Sequence, residues 1–145
     1  MDEPMTQLLT TLLAALALGG PTPMDNPRTG IAEVENGVAA PFVGSWRVAF
    51  PDGEGVIVNE AIASCDAPVE ITAPDDATIS YASPQGGSTR FELSAFMDRT
   101  SWFPDNGASS IAVWTSADSF YLYPVDPMTG SAGWDNPHVY HRCGG

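Results

Sequence analysis

From Phe42 onward the chain keeps to a period of two: apolar and polar side chains alternate in short runs, and each run ends in a cluster of Pro, Asp, Asn or Gly. No other feature limits the fold as much. A strand places successive side chains on opposite faces, so this pattern describes strands joined by turns and leaves no stretch for a long helix. The first run, "FVGSWRVAF" from Phe42 to Phe50, sets Trp46, Val48 and Phe50 on one side. It stops at Pro51-Asp52-Gly53, where Pro presets one backbone angle and Gly accepts a positive one.

"GVIVNEAIAS" and "VEIT" follow, then a turn at Pro74-Asp75-Asp76 and "ATISYA", with Ile79 and Tyr81 on one face. Pro84-Gln85-Gly86-Gly87 leads into "STRFELSAF", whose Phe91, Leu93 and Ala95 point inward. The clearest hairpin is "SSIAVWTSADSFYLYPV", two alternating runs around Ser116-Ala117-Asp118. Ile111 and Val113 are expected to face the core with Phe120 and Leu122. Trp114, Tyr121 and Tyr123 then share the opposite face, either as a flat aromatic patch that binds a partner or as one half of a two-sided core. A loop, "DPMTGSAGWDNP", precedes a closing strand, "HVYHRC". About eight strands spaced roughly ten residues apart make residues 42–145 an all-β domain, a small antiparallel eight-stranded barrel or a sandwich; alternation is the same in both.

The residues before this domain follow other rules. The apolar run Leu8 to Leu18 is too short to span a bilayer and has the length of a signal-peptide core, with Ala15-Leu16-Ala17 as a cleavage site and Gly19-Gly20-Pro21 beyond it. Asp2 and Glu3 stand where a secretory signal carries positive charge, unless Met5 is the start. Taken at face value, Asp2, Glu3 and Pro4 suit the first turn of a helix on which Met5, Leu9, Leu12, Leu13 and Leu16 form one apolar stripe. Residues 1–20 are therefore read as a signal peptide or as a retained docking helix. Residues 21–41, with four prolines and no period, are read as a linker or arm, from which Ile31 and Val34 can tuck against the domain.

Eighteen acids face five bases, all of them arginine, for a net charge of -13. Such a chain repels phosphate backbones and anionic lipid, which argues against nucleic acid or a charged membrane surface as partner. A domain of this size buries a modest share of its surface, and Cys65 with Cys143 can supply a staple. A bridge between them would constrain the unfolded chain by roughly 4 kcal/mol in the loop-entropy view. The alternative is a pair of unbonded thiols in a reducing compartment.

Little here points to chemistry. His138 and His141, three apart on a strand, point to opposite faces, so no metal site is expected. The Gly-rich loop from Asp126 to Asp135 lacks the spaced carboxylates of a calcium loop and is read as a connection. No nucleophile elbow, phosphate loop or dinucleotide fingerprint occurs, so neither catalysis nor a cofactor is expected.

Gly44-x-Trp46 at the head of the first strand resembles the opening of lipocalins and, at this chain length, of the small lipocalin-like periplasmic inhibitors of metalloproteases. The resemblance implies a barrel whose Trp46 plugs the closed end, with Arg142 of the last strand packed over it as a cation on a ring. It also implies a bridge from mid-barrel to the C-terminus, as Cys65 to Cys143 would make. The lipocalins' second signature and C-terminal helix have no counterpart here, and the inhibitors' own bridge closes a short loop. The resulting expectation is a non-enzymatic, exported (periplasmic or secreted) binding module for a protein or a small apolar ligand. If it is inhibitor-like, Pro21 to Gly37 is the inserted element. The alternative is a structural subunit of a larger assembly, such as a virion or membrane-protein complex, docked through Met5 to Leu18.

Overall fold

The computed structural model describes residues 26–144, so the expected signal or docking helix lies outside the described residues. A 3-10 turn at Ala40–Phe42 leads into β1 (Gly44–Ala49), followed by β2 (Ile57–Val58), β3 (Ala61–Ile62), β4 (Val69–Asp75), β5 (Thr78–Ala82) and β6 (Ser88–Phe96). The chain continues through β7 (Arg99–Pro104), β8 (Ser110–Ser116), β9 (Ser119–Pro124) and β10 (His138–Arg142). Eight of these strands close an antiparallel barrel in the order β1-β10-β9-β8-β7-β6-β5-β4, with β4 returning to β1. The choice between barrel and sandwich is thus settled in favour of the barrel.

The excluded pair, β2 and β3, corrects the expectation of one strand over "GVIVNEAIAS". It is a hairpin that turns at Asn59 and Glu60, both at positive φ (51° and 72°). Two successive positive φ angles suit the right-handed twist of a tight hairpin, and Asn tolerates that region well. Val48 N–H donates to the Ala63 carbonyl, and the Val48 carbonyl accepts from Val56 N–H. The hairpin therefore takes over the edge of β1 where its pairing with β4 stops at Trp46 and Val69. The Asn59 amide reaches Ser83 Oγ and the Gly86 carbonyl in the β5–β6 turn, so the hairpin lies across one end of the barrel.

The interior is filled by rings. Trp46, Trp102, Trp114, Phe42 and Phe120 are fully buried, and Phe120 stacks on Tyr140 at 4.6 Å. Tyr81 and Tyr140 join their hydroxyls at 2.7 Å. Burial pushes the Tyr81 phenol up to about 12 and raises that of Tyr140 as well. Among the described residues the indole N–H groups of Trp102 and Trp114 have no hydrogen-bond partner, a cost of about 1–3 kcal/mol each that the packing of the rings must offset.

At the other end, Phe42 drops its ring between Trp102, Trp114 and Phe120, at 5.4, 4.6 and 5.1 Å. Trp46 Nε1–H donates to the Phe42 carbonyl at 2.8 Å. The Arg142 guanidinium lies 4.3 Å from the Trp46 ring centre and donates to the carbonyls of Val43, Pro41 and Ala117, while its Nε pairs with Asp118. One side chain thereby ties the entry to β1, the β8–β9 turn and β10 together. Gly44 makes room for it: φ is +142°, and a Cβ would stand 2.8 Å from Arg142 Nη1. Cys65, ahead of β4, is bonded to Cys143, after β10. Since β4 and β10 are the two neighbours of β1, the bridge clamps that strand in place.

The stretch read as a linker is packed from Asn26 on. Gly30 N–H donates to the Asp98 carbonyl, Ile31 N–H to that of Trp114, Gly37 N–H to Thr100 Oγ1 and Ala39 N–H to the Asp76 carbonyl. Tyr123 donates its hydroxyl to the Pro27 carbonyl. Arg28 and Arg99 lie 5.1 and 4.8 Å from the Trp134 ring centre, over the outside of β9. The arm covers part of the outer face and then seals the barrel end.

Candidate functional site

The three aromatic residues read as one outer patch are separated by the fold. Residues directly opposite on paired strands share a face. The pairs are Ala112 with Leu122 and Trp114 with Phe120, against Ile111 with Tyr123 and Val113 with Tyr121. Trp114 is thus inside, packed on Phe42 and Trp46, and Ile111 and Val113 are outside. Both faces of β8 are apolar, so alternation could not say which was inner. Tyr123 is outside but fully buried, its ring 4.7 Å from that of Trp134. The two-sided core describes these strands.

Tyr121 remains half-buried and lines a groove of about 330 Å3 on the outer face of β9, β10 and β1. Two cross-strand rows make the floor. Arg47, His141 and Ser119 form one; Val139 and Tyr121, in the row that starts at the buried Ala49, form the next. Phe50, Pro51 and Gly53, from the turn after β1, wall one side, and Pro27 of the arm with Thr115 of β8 borders another. The turn itself is closed by Asp52, whose carboxylate accepts the Glu54 N–H.

The polar groups of the groove have distinct states. Burial, and then the Arg47 guanidinium beside it, hold the His141 imidazole below its ordinary value, which leaves it neutral at pH 7 with one N–H to donate. Among the described residues Arg47 makes no ion pair; the pair found there joins Arg142 to Asp118. Ser119 Oγ is turned to Thr115 Oγ1 and Ser116 Oγ, at 2.7 and 2.8 Å, rather than to its cross-strand neighbour His141. The groove offers donors and apolar walls.

His138 lies apart from His141, its ring 5.4 Å from Phe50, and burial lowers its basicity too. Among the described residues no group of three or more His, Cys, Asp or Glu is placed to hold a metal. The Asp126 carboxylate accepts the Met128 N–H within its own loop. No helix among the described residues is long and apolar enough to cross a membrane.

Arg47, Thr115 and Ser119 were not singled out from the sequence. The one signal for Arg47 was its place between Trp46 and Val48, which puts it on the outer face. Its meeting with His141 needs the first and last strands to pair, which no local pattern states.

The fold defines a class: an all-β, closed, eight-stranded antiparallel barrel of lipocalin-like shape in general. Compared with protein families, with curated proteins and with solved structures, the chain matches none at a significant level.

Proposed function

We propose that this barrel is a non-enzymatic, exported binding module that recognises a protein partner through its outer surface, with the groove of Arg47, Tyr121 and His141 as the contact. The observation that carries the reading is where the space lies. The lumen, where a barrel of this shape would hold a small apolar ligand, is occupied by the protein's own rings. A walled concavity whose Arg47 makes no ion pair among the described residues lies outside instead. The Cys65–Cys143 bridge favours an oxidising compartment and so supports export. An inhibitor-like insertion of Pro21 to Gly37 has less support, because Asn26 to Gly37 are engaged with the barrel.

The test is site-specific photocrosslinking in the native organism, with a benzophenone amino acid at Phe50 beside the groove or at Met128, 90% exposed in a distant loop. A discrete protein adduct from position 50 and none from 128 is expected. Identical adducts from both positions, or none from 50, would sink the reading. Apolar probes should leave the fluorescence of the lumen tryptophans without saturable quenching.

A further inference from the structure

The groove has one cation, and its setting says what that cation is for. Of the other four arginines, Arg28 and Arg99 lie on Trp134 and Arg142 on Trp46 and Asp118, while Arg90 shares its concavity with an acid, Asp105. Arg47 lines a concavity whose described lining holds no acid, beside a neutral imidazole and an aromatic ring. A guanidinium fork matches a carboxylate with two parallel N–H bonds, and His141 adds a third donor. The overall charge of -13 does not forbid an anion here, because exposed charges more than about 8 Å away are screened at physiological ionic strength. Asp52, which does not line the groove, turns one carboxylate oxygen to the Glu54 N–H of its own turn.

Size and shape restrict what brings the carboxylate. The volume, about 330 Å3, is at the low end for ligand sites, and walls stand on more than one side. The apolar surfaces of Phe50, Tyr121 and Val139 lie beside the donors, so one residue can fill both halves. We infer that the groove takes the C-terminal residue of a partner's peptide, its carboxylate on Arg47 and His141 and its apolar side chain against Tyr121 and Phe50. This rests on the groove being the recognition surface.

The test is an NMR titration of the full, isotope-labelled chain with N-acetylphenylalanine and with its C-terminal amide. The acid should shift the signals of Arg47, Tyr121 and His141 saturably, with the amide about tenfold weaker or more, the worth of one charge-assisted pair. Arg47→Gln, at an exposed outer position, should erase the difference, and Arg47→Lys should restore part of it. Equal binding of acid and amide, or a difference that survives Arg47→Gln, would overturn the inference while leaving the groove as an apolar contact. Tighter binding of benzoate, or of an amide-capped peptide with an internal Asp, would overturn the terminal assignment. No shift at any groove residue would overturn the whole inference, and the crosslink from position 50 would then show separately whether the recognition reading survives.

Discussion

The two ends of the barrel are closed by different physics. At the end where β1 begins, Phe42, Trp46 and Arg142 interlock: rings fill the opening, and a guanidinium over them bonds to carbonyls of separate segments. At the opposite end lies the β2–β3 hairpin, joined to β1 through Val48 and to the β5–β6 turn through Asn59. Val56 and Ala63 face the core, but Ile57 and Ile62, paired across the hairpin, are 68% and 55% exposed. One end is built into the core and the other is laid over it. The first holds the fold, and the second is free to differ without unmaking it.

That contrast can be broken at its strongest point first. Trp46→Ala removes a fully buried indole from the interlocked end and should cost about 3–5 kcal/mol, read as a fall in urea midpoint. A loss below about 1 kcal/mol would mean that this end is no more built in than the other. Replacing Cys65 and Cys143 by Ser should cost about 2–4 kcal/mol, since the bridge spans a separation of 78 residues and clamps the seam on either side of β1.

The covered end is tested by titration. Tyr81 lines a pocket with Val58 and Asn59 beneath the hairpin, and its folded-state pKa, about 12, lies above the unfolded value of 10. A group held protonated by folding contributes stability that is intact below pH 10 and is lost as pH rises toward 12, so about 2 kcal/mol should disappear across that window. Equilibrium denaturation between pH 9 and pH 12 checks the size and sign. Asn59→Ala, which frees the hairpin tip, should cost under about 1 kcal/mol yet bring the tyrosinate absorbance of Tyr81 nearer to pH 10. If the midpoint falls as far as for Trp46→Ala, the two ends are equivalent and the distinction fails.

Much of this could be read along the chain because strands and turns are local. Trp46 and Val48 with Ile79 and Tyr81 announced their inner face by alternating with polar neighbours, and Pro51-Asp52-Gly53 announced its turn. Alternation failed where both faces are apolar, at Ile111 to Trp114, and a two-residue turn without Gly, Asn59-Glu60, passed as strand. The groove was the least legible part. Tyr121 was noticed for its ring, but Arg47, Ser119 and His141 share a row only because β1, β10 and β9 are neighbours in space. The arm was hidden for another reason: it is held mostly through backbone bonds, which leave no pattern in side-chain type.

The pairing of β1 with β10 also orders events in time. From β4 to β10 each strand pairs with the next, so that stretch can assemble hairpin by hairpin as it becomes available. Trp46 gains its capping guanidinium only when Arg142 arrives, a residue that also bonds Val43 across 99 positions of chain. Until then β1 has an open edge, its indole is uncovered and the thiol of Cys65 lacks its partner. The part of the barrel that emerges first is therefore the part that must wait longest for its partners.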